Sequence, residues 1–524
     1  MSVPEEVRKV ERPVGTVVCD GRNGVYAVRE KFSGGYYVDE EGNRHRPSRN
    51  GKVVGHIIDL KYIPNPSEEN VSVSCGNVDL KDWGNIELFD RLNRDLLDLL
   101  GIFYNTQEST KLYVAAILRA SYESIPDRKL NSFYEESFLT EMFPPVNLKR
   151  SSFSEFLRNV GRNCSRITQF MRMMVSRLSS EDNVIIDGSL RQDHSRINSL
   201  SEISRKTSER GHKEILLMYA YSQEKKQPVC SKVYPGNMVD QRAVSDFIEE
   251  FAIHNGLIVA DKGFPPESIK DVASKHKDLH YLLPLKRNRS QIADLGLLKF
   301  DSRLETDAGI TCKRVSTETD HGICWYYSFR DPTIARDEEL LYMSKHRGDD
   351  YDAEDLAKKM LSFGTLVFES DTEMECSEAY EIYENRWLIE LFFRSQEDTM
   401  GMDTTREHSD YNVIASNFID YLSSIMCARM ITYLDDRKLL DNNTYGDILD
   451  LLLRVKMTRT SGDSEWRVRK IAQTDADLIE KIGILQRPVI PIEKKKKGRP
   501  MGSKDRVKRK RRTKAEVGAD QAQI

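Results

Sequence analysis

Residues 183–190 read NVIIDGSL. A short apolar run that closes on Asp187, Gly188 and Ser189 predicts a buried strand ending in a carboxylate, with the glycine letting the backbone turn away. Residues 256–264, GLIVADKGF, repeat the pattern with Asp261 and Gly263. A single aspartate of this kind is usually a turn residue or a helix cap. Two of them, each following an apolar strand, point to a pair of carboxylates aimed into one cleft. Between them, EILLMYAYS (214–222) and QPVCSKVYPGN (227–237) predict two more strands with a turn at Lys225 to Gln227. Asp240 to His254 predicts a helix, and HYLLPLKRNRS (280–290) a fifth strand that runs into Lys286, Arg287 and Arg289.

Further on, residues 379–400 read AYEIYENRWLIELFFRSQEDTM and predict one long helix. Tyr383, Arg386, Glu390 and Arg394 fall on one face, and Trp387, Leu388, Leu391 and Phe392 on another that would enter a core. Charges on a mostly buried helix need compensation. Two readings follow: an internal salt-bridge network between Glu390 and its flanking arginines, or a metal-ligand carboxylate beside phosphate-binding arginines. Two strand-end aspartates plus a helical glutamate make a candidate two-metal site, in which carboxylates hold two divalent ions about 4 Å apart.

Outward from this centre, residues 13 to about 64 are short extended runs punctuated by glycine, a small module of hairpins. Residues 86–180 carry apolar residues at helical spacing, with Arg158, Arg162, Arg166, Arg172 and Arg177 at polar positions. Such arginines usually mark a solvated face, and a DNA-binding helical domain is the functional alternative. Residues 301–355 combine β-like TCKRVSTE and GICWYYSFRD with two helical stretches, and predict an insertion. LSFGTLVFES (361–370) predicts a strand feeding the helix, and two helical stretches follow Met400.

The 524 residues predict several domains. With 39% hydrophobic and 31% charged residues, and no apolar run near the roughly 18 residues of a membrane helix, the composition is that of a soluble globular protein. The N-terminus has no apolar h-region, which argues against a secretion signal. Eight cysteines without a C-x-x-C pair argue for reduced thiols in a cytoplasm and against a zinc site. The net charge of −4 conceals an asymmetry: residues 494–514 hold 13 Lys+Arg and one acid, leaving 66 basic and 82 acidic residues elsewhere. An acidic body binds DNA only through local basic patches or metal-neutralised carboxylates.

The set VIIDGS, GN-x-x-D, IVADKGF and Y-x2-R-x3-E resembles the insertion-sequence DDE transposases, in particular the subgroup with a β-strand insertion and a Y-x2-R-x3-E-x6-K signature. The likeness covers roughly residues 180–430. It implies an α/β ribonuclease-H-like mixed-sheet catalytic domain with a β-rich insertion, plus an N-terminal β-module and a helical domain. Asp187 and Asp261 match the two catalytic aspartates and Glu390 the glutamate, spaced by 74 and 129 residues. The longer gap is where the subgroup carries its insertion. Tyr383 and Arg386 match signature residues used near DNA phosphates; Gly236, Asn237 and Asp240 match GN-x-x-D. The chain departs at the signature lysine, where it has Glu397, a residue that cannot replace a phosphate-binding ammonium. Arg394 is the residue placed to take over. Trp325, next to Tyr326 and Tyr327, is the candidate for an insertion tryptophan that stacks on a flipped base in some relatives; a strand aromatic in the insertion's own small core is the plainer reading.

The resemblance further implies two Mg2+ ions, with Mn2+ able to substitute, on Asp187, Asp261 and Glu390. It implies cleavage and rejoining of double-stranded DNA at element ends and target, by a homodimer in a synaptic complex. The expected setting is cytoplasmic and nucleoid-associated in a prokaryote, with no membrane. A decayed, non-catalytic DNA-binding copy and a metal-dependent nuclease without strand transfer are the competing readings. The expected layout is residues 1–75, N-terminal β-hairpin module; 76–180, helical and possibly DNA-binding domain; 181–300 and 356–435, catalytic core; 301–355, β-rich insertion; 436–490, C-terminal helical region; 491–524, disordered basic tail. In that tail Lys496-Lys497-Gly498-Arg499-Pro500 resembles an AT-hook core, with Lys497 and Arg499 as DNA contacts. A basic run that binds any polyanion is the commoner meaning.

Overall fold

The computed structural model describes residues 3–485 except 20, 22–23, 32–36, 39–43, 46–50, 52, 65–77, 196, 204–211, 239, 261–265, 308, 320–321, 347–351, 387–388, 391–403, 406 and 461–462. The chain forms two compact units, one of Met1–Asp79 with Thr458–Trp466, the other of Leu80–Met457 with Arg467–Ile524.

The smaller unit holds a four-stranded antiparallel sheet of Thr16–Val18, Tyr26–Glu30, Val53–Ile58 and Lys61–Pro64, in that order. Val28 and Ile57 are buried in it together with Val7. The last two strands join through Asp59 and Leu60, both at positive φ (49° and 58°), the backbone of a tight hairpin turn whose twist matches its strands.

The larger unit is built on a ten-stranded sheet. Its strands are β1 (Asn183–Asp193), β2 (Glu214–Ser222), β3 (Gln227–Pro235), β4 (Asn255–Ala260), β5 (Asp278–Pro284), β6 (Ser302–Arg303), β7 (Thr311–Thr319), β8 (Gly322–Arg330), β9 (Thr365–Ser370) and β10 (Thr404–Thr405). The order is β3-β2-β1-β4-β5-β9-β8-β7-β6, with β10 beside β1. β1, β2 and β3 form an antiparallel meander, while β4 lies parallel to β1 and β5 parallel to β4. β9 then pairs antiparallel with both β5 and β8, so the strands within residues 301–355 extend the main sheet. β2 is buried at every position, as its unbroken apolar sequence requires.

Helices α1 (Gly84–Phe103), α2 (Thr106–Ser121), α3 (Arg150–Arg162) and α4 (Cys164–Val175) belong to the same compact unit as the sheet. α2 opens with a capping box, Asn105 and Glu108 satisfying each other's backbone N–H. The arginines of this region are partly engaged within the protein. Arg166 pairs with Glu108 at 3.4 Å, Arg172 donates to the Glu250 carbonyl, and the Arg162 guanidinium lies 5.7 Å from the Tyr411 ring.

α5 (Asp240–Phe251) lies between β3 and β4, and α6 (Pro266–Ala273), α7 (Pro332–Lys345) and α8 (Ala353–Met360) lie between β4 and β9. α9 (Cys376–Glu384) follows β9, and α10 (Asp410–Asp435) and α11 (Tyr445–Leu453) complete the core. α10 is apolar nearly all round and buried from Asn412 to Leu434, packed between β3 and helices α1, α2 and α3. Its one buried acid, Asp420, accepts from Arg119 of α2 at 2.6 Å and Arg191 of β1 at 2.9 Å. Among the described residues no helix is long and apolar enough to cross a membrane.

Two local expectations are corrected. The strand carrying Asp187 does not end there: β1 runs on to Asp193, because β2 keeps supplying ladder partners as far as Gln192↔Glu214. The helix expected over 379–400 is interrupted. α9 ends at Glu384, and Asn385 and Arg386 form a turn closed by the Arg386 N–H on the Tyr383 carbonyl, before helix resumes at Ile389 and Glu390. Asparagine side chains compete with helical backbone bonds, which makes Asn385 a natural place for the break.

Candidate active site

β1 and β4 stay in register from Asn183↔Leu257 to Ile186↔Ala260. One residue beyond that last pair β1 carries Asp187, and the chain after Ala260 continues to Asp261. Asp261 lies outside the described residues. β10 pairs with β1 only at Gln192 and Asp193. On this flank the described ladder pairs of β1 end at Ile186 and resume at Gln192, whereas on its other flank β2 pairs with it from Val184 to Gln192. The gap opens where the chain changes direction across the sheet, with the antiparallel meander on one side and the parallel strands on the other. Open α/β sheets bind ligands at such a point.

Asp187 is half-buried, and one carboxylate oxygen accepts the Gly188 N–H at 2.7 Å. Gly188 leaves little space beside it: a Cβ there would come within 3.3 Å of the Leu216 side chain.

The glutamate arrives from the other side of the chain. α9 is fixed to the sheet by Tyr380 against Phe329 (5.1 Å) and Tyr383 against Phe368 (4.3 Å), and by Gln223, whose side chain donates to the Ile382 carbonyl at 2.8 Å. Beyond the turn, Ile389 is fully buried and Glu390 is 50% exposed. Arg386 pairs with Glu390 at 2.5 Å and sits 5.6 Å from the Tyr383 ring centroid. Tyr383, Arg386 and Glu390 thus share one face despite the break. Burial, followed by the nearby Asp331, raises the Glu384 carboxyl above its ordinary range, and Arg386 acts in the opposite direction.

The other residues singled out from the sequence are placed as follows. Lys286 is exposed. Arg287 is half-buried and engaged by a two-pronged ion pair with Glu338 of α7 (2.9 and 3.0 Å) and a bond to the Thr365 carbonyl. The cations of that cluster facing solvent are Lys286 and Arg289. Trp325 is half-buried on β8, packed against the core, with the Arg314 guanidinium 5.4 Å from its ring. Arg314 is itself tied to Glu375 at 3.1 Å. Arg394, Glu397, Lys497 and Arg499 lie outside the described residues. Gly236 of the GN-x-x-D stretch has a steric role: a Cβ there would stand 2.1 Å from the Glu214 carbonyl oxygen.

The sequence did not single out Arg119, Arg191 and Asp420, which anchor β1 beyond Asp187. The pairs are 301 and 229 residues apart, and no local pattern links them.

Residues 179–414 match the family model described as Transposase DDE domain. No curated protein matches the chain. Among solved structures, a piggyBac transposase in a synaptic complex with hairpin DNA is similar at 11% identity, over 76% of this chain and 84% of that chain, with a TM-score of 0.37. So low a score carries no argument about function. Over residues 179–414, the likeness read from the motifs holds, and this part of the chain is similar to the transposase DDE domain.

Proposed function

We propose that the chain is a DDE transposase that cuts DNA at the ends of an insertion sequence and joins the released 3′ hydroxyl to target DNA. The observation that carries this is the placement of Asp187 at the level where β4 ends, one residue past the Ile186↔Ala260 pair. The sheet supports a ribonuclease-H-like reading of the core: an antiparallel meander β3-β2-β1 followed by the parallel pair β4-β5.

Asp187, Asp261 and Glu390 would hold two divalent cations. The donor set, carboxylate oxygens alone, fits a hard ion such as Mg2+, with Mn2+ able to replace it. Glu390 is open enough to reach a ligand. When bound, such ions supply the activated water and neutralise charge at the scissile phosphate. Arg386 pairs with the Glu390 carboxylate, and its guanidinium would meet a DNA phosphate beside the bound cations. Lys286 and the basic tail, with Lys497 and Arg499, add sequence-independent phosphate contacts. The working species would be a homodimer on DNA, in a prokaryotic cytoplasm.

The test uses full-length protein and labelled DNA carrying the inverted repeats that flank the gene, with Mg2+ present. Nicked and strand-transfer products are expected from the wild type, and neither from folded Asp187→Ala. Equal cleavage by that variant would overturn the assignment. The Arg386–Glu390 ion pair, together with Glu397, favours a second reading, a DNA-binding protein that no longer cuts. Binding to the repeats without any product in Mg2+ or Mn2+ would establish it.

A further inference from the structure

We propose that Glu249, His254 and His276 form a binding site for one transition-metal cation of the Zn2+ class, apart from the carboxylates assigned to DNA cutting. Glu249 is in the last turn of α5, His254 immediately precedes β4, and His276 lies two residues before β5. The adjacent parallel strands thus bring both histidines to their N-terminal ends, opposite the Ala260 end of β4.

The geometry is that of an unclosed metal cage. The candidate ligand atoms of the three side chains all lie within 4.8 Å of one another. The Glu249 carboxylate oxygens are 4.0 Å from His254 Nε2 and 3.8 Å from His276 Nε2. Those separations are too long for hydrogen bonds. Two ligand atoms each about 2.1 Å from a tetrahedral zinc ion stand about 3.4 Å apart, so closing the observed 3.8 and 4.0 Å by a few tenths of an ångström would bring these atoms to ligand spacing. Both Nε2 atoms are shut off from solvent and have no hydrogen-bond partner in the protein. Buried polar atoms are normally satisfied, and an ion accepting both lone pairs would satisfy these.

The two imidazoles stack at 3.8 Å between centroids, 12° from parallel. The stacked rings and the Glu249 carboxylate thus gather the three candidate ligand atoms at one place. Arg172 and Lys275 are the cations facing the cluster. Lys275 stands 3.8 Å from Glu249 and is exposed, so it can swing away when an ion arrives. Two imidazoles and one carboxylate suit Zn2+, with water as fourth ligand, and not Mg2+. The ion would clasp α5 to the starts of β4 and β5.

The experiment titrates full-length protein with zinc chloride by calorimetry in excess Mg2+, and follows Tm in parallel. The wild type should bind one more equivalent of zinc than His254→Asn/His276→Asn, and its Tm should rise with zinc where the variant's does not. Glu249→Gln, a change at an exposed side chain, should weaken the same equivalent at least tenfold and serves if the double variant does not fold. Asp187→Ala should keep it, which separates this site from the proposed cutting site. Equal stoichiometry in wild type and variants, or displacement of the extra zinc by Mg2+, would overturn the proposal.

Discussion

Ala260, the last residue of β4, is paired with Ile186 and not with Asp187. Among the described residues the β4 ladder on β1 ends one residue before its carboxylate, while β2 continues on the other side. Asp187 is thus held in a strand whose backbone β2 fixes on one flank. Replacing it by asparagine keeps the shape and the bond to the Gly188 N–H, and removes the charge. Asp187→Asn should fold with a Tm within a few degrees of the wild type and lose DNA cleavage; circular dichroism and a nicking assay check both.

The buried Arg119–Asp420–Arg191 cluster ties β1 to α2 and α10. Removing the shared carboxylate takes the ion-pair partner from Arg191 and leaves Arg119 with Asp127 at 2.8 Å, both guanidinium side chains being less than 10% exposed. Asp420→Ala should destabilise the larger unit by about 3–5 kcal/mol, as expected when one partner of a buried ion pair is deleted. Urea unfolding measures it, and a loss under 1 kcal/mol would contradict the role given to the cluster.

At Gly236 the obstacle is backbone, not a side chain that can move aside. Gly236→Ala should cost about 1–3 kcal/mol or more, the usual penalty of overpacking. Tm comparison with Gly101→Ala, at a helix position with open space around it, isolates the steric term.

Glu407 accepts from Asn412 at 3.0 Å, and burial raises its carboxyl above the ordinary value. A raised acid binds its proton more tightly when folded, so this group opposes folding increasingly as pH rises from the unfolded pKa through the folded one. Glu407→Gln should therefore gain stability relative to wild type at pH 8 and much less near pH 4. Thermal unfolding across that range checks the sign; an equal shift at both pH values would refute it.

Lys286 and Arg287 are neighbours with different surroundings. Lys286→Ala should lower the salt dependence of DNA binding by about one phosphate contact, a slope change near 0.9. Arg287→Ala should leave that slope unchanged and lower Tm, because its guanidinium joins β5 to Glu338 of α7. Binding isotherms at several salt concentrations distinguish the two.

Much of the central sheet is legible in the sequence because its strands are unbroken apolar runs: EILLMYAYS can hardly be anything but a buried strand. Its limits are less visible. Asp187-Gly188-Ser189 has the composition of a stop, and only the distant partner Glu214 keeps β1 going to Gln192. Residues 379–400 have helical periodicity throughout, which conceals the turn at Asn385. The β-character of the 311–330 hairpin is plain, but its union with the main sheet through β9 is a matter of long-range register. At the candidate site, residue types and spacing single out Asp187 and Glu390. The ion pair of Glu390 with Arg386 was open from spacing alone, and Arg287's engagement by Glu338 had no local signal.

The added strands β9, β8, β7 and β6 have one more effect. A five-stranded sheet ending at β5 would present a bare row of peptide groups, a template on which another chain could grow. β9 covers that row, and the sheet now ends in β6, only two residues long. The opposite border, β3, carries Pro228 and an irregularity before Cys230. Short margins, prolines and bulges are how sheets resist edge-to-edge association. The same strands that enlarge the domain thus protect it from aggregation.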